Sequence, residues 1–188
     1  MLHEIHPLKI IVMGVSGCGK STLAQGLSLA LALRMKDGDE LHLPESVAKM
    51  SAGIPLEDAD RWPWLDRIAA YLKNSEGHAS ESLGGIVACS ALKKIYRDRI
   101  RKNAGPVVFI FLDGNAELIR DRMTQRLGHF MQAGLLDSQL QALEKPSLDE
   151  TDVISLDIAQ SVEAILQQAL KNLKTSSTQT HTFSSLSI

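Results

Sequence analysis

The sequence predicts a three-layer α/β domain in which helices cover both faces of a parallel sheet of about five strands. Two observations carry that expectation. Short, continuous apolar runs alternate with stripes of helical period, as strands buried on both faces and their crossover helices require. A glycine-rich segment also separates the first run from the first stripe, where a tight strand-to-helix turn belongs.

The runs Leu8–Met13, Ile86–Cys89, Val107–Leu112 and Val153–Leu156 are read as strands. A fifth strand is placed over Leu31–Met35 and ends at Lys36, because the chain then enters Asp37-Gly38-Asp39; its residues suit a helix equally well. Helical stripes lie between the strands. Leu23, Leu27 and Leu31 recur every fourth residue, Leu65, Ile68, Ala69 and Leu72 share one face, and Val162, Ile165, Leu166, Ala169, Leu170 and Leu173 continue a third stripe. Pro63 is expected in the first turn of the helix that carries Leu65, which ends the segment Asp58–Trp62. Ser138 and Gln141 have capping-box spacing, so a short helix should begin after Gly128–Leu136, within a small helical lid over about 122–150. From Thr175 onward nine of fourteen residues are Ser or Thr, which predicts a disordered tail after a single domain, 1–174.

Composition narrows the function. With 188 residues, 44% of them hydrophobic, the chain can bury one sizeable core. Twenty Lys and Arg against 22 Asp and Glu give a net charge of -2, so no overall field favours nucleic acid or an anionic membrane surface. Cys18 and Cys89 lack metal-ligand or disulfide-framework spacing. The first seven residues are wrongly composed for a signal peptide, and no stretch approaches the roughly 18 apolar residues of a membrane helix. A soluble, cytoplasmic protein is expected.

Gly14, Val15, Ser16, Gly17, Cys18, Gly19, Lys20 and Ser21 match GxxxxGK[ST], the P-loop motif, and Thr22 continues into the helix. Such a loop aims successive backbone N–H groups and the positive end of a helix dipole at phosphate oxygens. Lys20 adds a full charge near the β- and γ-phosphates, and the Ser21 hydroxyl is a ligand for Mg²⁺. The segment therefore predicts a P-loop NTPase fold that holds ATP. Read as a plain tight turn, it would leave the Lys-Ser pair and both flanking elements to coincidence. Cys18 is open to two readings, a redox-sensitive thiol or a neutral occupant of a variable loop position.

A P-loop does not by itself choose a reaction. No Asn-Lys-x-Asp motif is present and no apolar strand ends in Asp-x-x-Gly, which argues against a GTPase switch, and the size suits a small-molecule kinase. Asp37 and Asp39 follow the second strand, where one carboxylate can act on Mg²⁺ through water and the other can take a hydroxyl proton; a solvated Asp-Gly turn is the alternative. Arg61, beside Asp58 and Asp60, suits a bidentate grip on a carboxylate, or belongs to a surface salt-bridge cluster. Arg122 and Arg126 share a helix face before Gly128-His129-Phe130, either to close on the transferring phosphate or as a solvated basic face.

Several separated motifs, in order, resemble the gluconokinase (gluconate kinase) family, a branch of the small P-loop kinases related to shikimate kinase. They are Asp37-Gly38-Asp39-Glu40-Leu41-His42, Lys49-Met50, Gly53-Ile54-Pro55-Leu56, Asp58-Ala59-Asp60-Arg61-Trp62-Pro63-Trp64-Leu65, Cys89-Ser90-Ala91-Leu92-Lys93-Lys94 with Tyr96-Arg97-Asp98, Gly128-His129-Phe130-Met131 and Ser138-Gln139. The resemblance runs from about Ile10 to Ile158. It implies ATP-dependent phosphorylation of the 6-hydroxyl of D-gluconate and a homodimer. By the same resemblance Asp39 positions or deprotonates the hydroxyl, Asp37 acts on Mg²⁺ with Ser21, and Arg61 holds the sugar-acid carboxylate with Asp60, His42, Lys49 and His129 nearby. Lys20 and Arg126, with Arg122, would neutralise charge on the phosphoryl group and the nucleotide. One segment departs from the pattern: the family usually continues His-Pro-x-x-Asn-Ile, whereas this chain reads His42-Leu43-Pro44-Glu45-Ser46-Val47. A same-fold kinase for another sugar acid or polyol, and a catalytically silent nucleotide-binding regulator, are the competing readings.

Overall fold

The computed structural model describes residues 7–74, 84–125 and 133–182. Five strands, β1 (Leu8–Met13), β2 (Arg34–Asp37), β3 (Gly84–Cys89), β4 (Val108–Asp113) and β5 (Val153–Asp157), form one sheet in the order β2-β3-β1-β4-β5, and every pairing is parallel. Seven α-helices accompany them among the described residues: α1 (Lys20–Leu31), α2 (Pro44–Ser51), α3 (Asp58–Asn74), α4 (Lys94–Ala104), α5 (Ala116–Gln125), α6 (Ala133–Ala142) and α7 (Val162–Thr182). None of the described helices is long and apolar enough to cross a membrane.

Alternation along the central strands builds the three layers. Ile10 and Val12 of β1, Ile86 and Ala88 of β3, and Ile110 and Leu112 of β4 join Leu23 and Leu27 of α1 and Ile165, Ala169 and Leu173 of α7 in one core. The intervening residues, Ile11, Met13, Val87, Cys89, Phe109 and Phe111, pack with Trp64, Leu65 and Ile68 of α3 and Tyr96 and Ile100 of α4 in a second core. Both faces are apolar, so these strands read as continuous rather than alternating runs. The edge strand β2 carries Arg34 and Lys36 and is only partly covered.

Four local expectations are corrected. The second strand begins at Arg34, because α1 runs through Leu31 and stops at Ala32, which is left-handed at φ 53°. Ser28 fixes that stop: its carbonyl accepts from Leu33 N–H at 3.1 Å and its hydroxyl donates to Leu33 O at 2.6 Å. Pro63 lies inside α3, not in its first turn. The helix starts at Asp58 because the Asp60 carboxylate reaches back to accept from Glu57 N–H at 3.0 Å, one half of a capping box, in an acidic first turn. Ser138 is internal to α6, and Leu136 near the start of that helix is buried. The Ser/Thr-rich segment expected to be disordered is helical as far as Thr182, as the end of α7, and 183–188 lie outside the described residues.

One charged group is sealed into the structure. Arg97 on α4 is 1% exposed and binds Glu150 through two bonds of 2.6 and 2.7 Å, while Arg101 reaches the same carboxylate at 2.8 Å. The remaining Arg97 nitrogen donates to the carbonyls of Leu92 (3.2 Å) and Glu144 (3.1 Å), joining the turn after β3 to the stretch after α6. Arg97 first, and then Arg101, hold the Glu150 carboxyl at about 2, below its ordinary 4.5 and against the opposing effect of burial. Its contribution to stability is therefore complete above the ordinary value and fades as pH falls toward the depressed one. Glu150→Gln should cost about 3 kcal/mol or more, a fall in Tm of about 6–12 °C at neutral pH, because Arg97 would keep a buried charge without its counter-ion. Thermal melts of both proteins should show that gap narrowing between about pH 5 and pH 3.

Candidate active site

At the carboxyl end of β1 the chain turns through Gly14 to Gly19 into α1. Gly19 sits at the helix entry with φ 100°, and no other atom would crowd a side chain there, so backbone conformation sets the need for glycine. The first turn of α1 has neither an acidic residue nor a side-chain cap, which leaves its N–H groups and dipole for an anion. Lys20 Nζ donates to Val15 O at 3.0 Å, which folds the ammonium back over the loop. Thr22 stands with Gly17, Gly19 and Arg122 around a cavity of about 380 Å³, closed on its apolar side by Leu112 and Val162. Arg122 is tied down by a 2.6 Å bond to Ile158 O. Val162, read from the sequence as the start of a buried stripe, is half exposed at this cavity instead.

Ser21 Oγ donates to Asp37 Oδ2 at 3.2 Å, and the other oxygen of Asp37 accepts from Asp39 N–H at 3.1 Å. Asp37 thereby caps the 3-10 turn Gly38–Leu41 and orients the backbone that carries Asp39. Between the two acids, Gly38 has no room for a side chain: an added Cβ would stand 2.7 Å from Cys89 Cβ and 2.8 Å from Ala88 O. Its carbonyl accepts from Trp64 Nε1 at 2.7 Å, so α3 holds the acidic turn against the end of β3.

Behind that turn lies a second polar cluster. The His42 ring stacks on Trp64 at 4.5 Å with an 8° tilt, and its Nδ1 is buried without a partner among the described residues. Burial pushes the imidazole below its ordinary range; the Asp39 charge opposes this and Arg61 reinforces it. His42 follows Asp39 on the same turn, its N–H donating to Asp39 O at 3.4 Å. Lys49 on α2 is paired with Asp60 at 2.6 Å, so its charge is already compensated. Asp60 is held low by that lysine first, and it also caps α3. Arg61 has no carboxylate partner among the described residues: one nitrogen donates to Leu56 O at 3.3 Å and the guanidinium lies 5.8 Å from the Tyr96 ring centre.

The structure thus joins Ser21 to Asp37, with Lys20 next in the chain, and carries Asp39 and His42 on the turn that Asp37 caps; Arg61 is set against Leu56 and Tyr96. Lys49 and Asp60 form a pair of their own. Arg126 and His129 lie outside the described residues. Sequence reasoning assigned no role to Trp64, Lys93 or Tyr96, although all stand in the family motifs, and read Asp58 only as a member of a surface salt-bridge cluster. Asp58 accepts from Lys93 Nζ at 2.7 Å and from the Tyr96 hydroxyl, and its carboxyl is held low by Lys93 first and then Tyr96.

A parallel sheet with a phosphate loop after its first central strand, and an acidic turn beside it, defines a P-loop kinase. The family model described as shikimate kinase matches residues 16–174. The chain is 43% identical to the thermosensitive gluconokinase of Escherichia coli (strain K12), over 84% of this chain and 83% of that protein. It superposes on a gluconokinase from Sinorhizobium meliloti 1021 with a TM-score of 0.83 and 41% identity, covering 95% of this chain and 98% of that one. A sugar kinase from Janibacter sp. HTCC2649 gives a TM-score of 0.80 and 45% identity, over 89% and 95% of the two chains. The chain belongs to the shikimate kinase family and, within it, to the gluconokinases, and is an ATP-dependent small-molecule kinase.

Both cysteines are buried, Cys18 at 2% and Cys89 at 1% exposed. Burial raises the Cys18 thiol despite the nearby Lys20 charge, and it pushes Cys89 up to about 12. The neutral reading of Cys18 is the one that this geometry favours. Titration of the folded protein with a disulfide reagent at about pH 8 should leave both thiols unreacted for minutes and modify both after denaturation; rapid reaction of Cys18 in the folded state would restore the redox reading.

Proposed function

We propose that the protein transfers the γ-phosphoryl group of Mg²⁺-ATP to the 6-hydroxyl of D-gluconate, giving 6-phosphogluconate and ADP. The observation that carries this reading is the Arg61 guanidinium, without a carboxylate partner among the described residues, on the helix whose Trp64 holds the turn that carries Asp39. Gluconate is acyclic, with a carboxylate at one end and the reacting hydroxyl at the other, so one cleft must offer a cation at one end and a base at the other. Similarity to gluconokinases supports the choice of acid.

Phosphoryl transfer asks for alignment and charge compensation more than covalent help. The acceptor oxygen forms a bond to the γ-phosphorus while the bond from that phosphorus to the β,γ-bridging oxygen breaks, its electron pair leaving on ADP. Asp39 takes the hydroxyl proton in this reading, and Lys20 swings from Val15 O to the phosphates. Asp37 and Ser21 form an oxygen-only pair that fits Mg²⁺, which characteristically keeps waters and phosphate oxygens as its other ligands. When bound, the cation neutralises phosphate charge. The neutral, stacked His42 forms a flat wall for the polyol, and Arg126 and His129 are assigned to the phosphoryl and sugar sides by resemblance. Pro44 opens α2 at its first position, so the departure at Leu43–Val47 supplies the start of the helix that carries Lys49.

A coupled assay of ATP consumption against a panel of sugar acids and polyols tests the reading. Gluconate should be the preferred acceptor, and Arg61→Lys should raise its KM at least about tenfold with a smaller change in kcat, since a point charge replaces a planar fork. An ATPase background unchanged by gluconate, with another acid turned over, would transfer the activity to that acid. Asp39→Asn should lower kcat by about a hundredfold or more while leaving the Kd for ATP within about threefold, measured by stopped-flow turnover and calorimetry. Near-parental kcat would remove Asp39 as the base.

A further inference from the structure

We infer that Gln139 is a phosphate-facing residue of this kinase, donating a hydrogen bond from its side-chain amide to the phosphoryl group in transfer. Ser16 N–H, in the phosphate loop, donates to Gln139 Oε1 at 2.6 Å across the fold from α6. A backbone N–H can only donate, so the atom it meets must be the amide oxygen, and the orientation of the group follows from chemistry. Its two N–H bonds share the amide plane with that oxygen. They belong to the same planar group that meets the phosphate loop, and they have no acceptor among the described residues.

The helix beneath Gln139 is anchored on both sides. Leu136, one turn earlier, is 1% exposed in the core shared with α1. Beyond the end of α6, Glu144 N–H donates to Leu92 O at 2.9 Å, its carboxylate accepts from Lys94 N–H at 2.6 Å, and its carbonyl accepts from Arg97 at 3.1 Å. A donor held in this way needs no reorganisation when charge develops on the equatorial phosphoryl oxygens, which is where a fixed dipole acts most strongly. During transfer the P–O bond to the acceptor forms, the bond to the bridging oxygen breaks toward ADP, and the hydroxyl proton goes to Asp39. The Gln139 N–H meets the oxygens that remain on phosphorus throughout. The inference rests on the kinase reading but not on which acid accepts the phosphoryl group.

Two variants separate this role from simple loop support. Gln139→Glu keeps an acceptor for Ser16 N–H and replaces the donor with a negative charge, whereas Gln139→Met keeps the length and loses both groups. Each is compared with the parent by calorimetry with ADP and with the non-hydrolysable analogue AMPPNP, in the absence of acceptor, and by kcat on gluconate. ADP affinity should stay within about twofold, while Gln139→Glu should weaken AMPPNP at least about tenfold and both variants should lose about tenfold to a hundredfold in kcat. Gln139→Glu with AMPPNP affinity and kcat near the parent's would overturn the inference, as would equal losses for ADP and AMPPNP. Should the parent fail to turn over gluconate, the acceptor assignment falls, and the contrast between the two nucleotides still decides the role of Gln139.

Discussion

A full positive charge removed from water has to be met on every side, and Arg97 meets that demand with Glu150 and backbone carbonyls from two separate stretches of chain. Little else in the fold joins so many sequence-distant pieces. The turn after β3, the stretch after α6 and the approach to β5 are all drawn to one guanidinium, and Arg101 extends the link to Asp152. The catalytic end of the sheet is the rim of that arrangement. Gly14 N–H reaches Ser90 O at 3.4 Å, next to the Ala91-Leu92 turn that Arg97 fixes, so the phosphate loop leans on a backbone set by a buried ion pair.

The acidic turn beside the phosphate loop depends on a different device. Trp64 is 1% exposed and uses its one polar atom on the Gly38 carbonyl, while its ring face supports His42. An aromatic side chain with a polar tip can do both, since its area anchors α3 in the core and its N–H sets the height of the acidic turn. Asp39 and His42 are therefore positioned by the same buried residue.

Much of this was legible in the sequence, for reasons that differ by element. Strands β1, β3 and β4 announce themselves because burial on both faces leaves continuous apolar runs, and the edge strand β5 is marked by the short apolar stretch ending at the buried Leu156. The phosphate loop is readable because its glycines and Lys20-Ser21 have fixed spacing. Strand β2 is poorly marked: it is a short edge strand with Arg34 and Lys36, and the leucines before it belong to α1, whose end is set by Ser28 and a left-handed Ala32 that no pattern forecasts. Pro63 misled because proline usually marks a first turn, while the cap on Glu57 N–H is made by Asp60, a residue read as a ligand contact. Lys49 and Asp60 suit a binding site by type, and only geometry pairs them. Gln139 stood in a recognised motif without a role, since nothing in a linear sequence brings it to Ser16.

The cavity beside the phosphate loop has walls from α1, α5, α7 and the end of β4, segments spread over most of the chain. No unfolded ensemble can reproduce that enclosure, so nucleotide binding and folding are thermodynamically linked. At a nucleotide concentration a hundred times its Kd, mass action alone adds about 2.7 kcal/mol to the folded state. In a cell that keeps its nucleotide pool high, the substrate of this kinase would also serve as part of its scaffold.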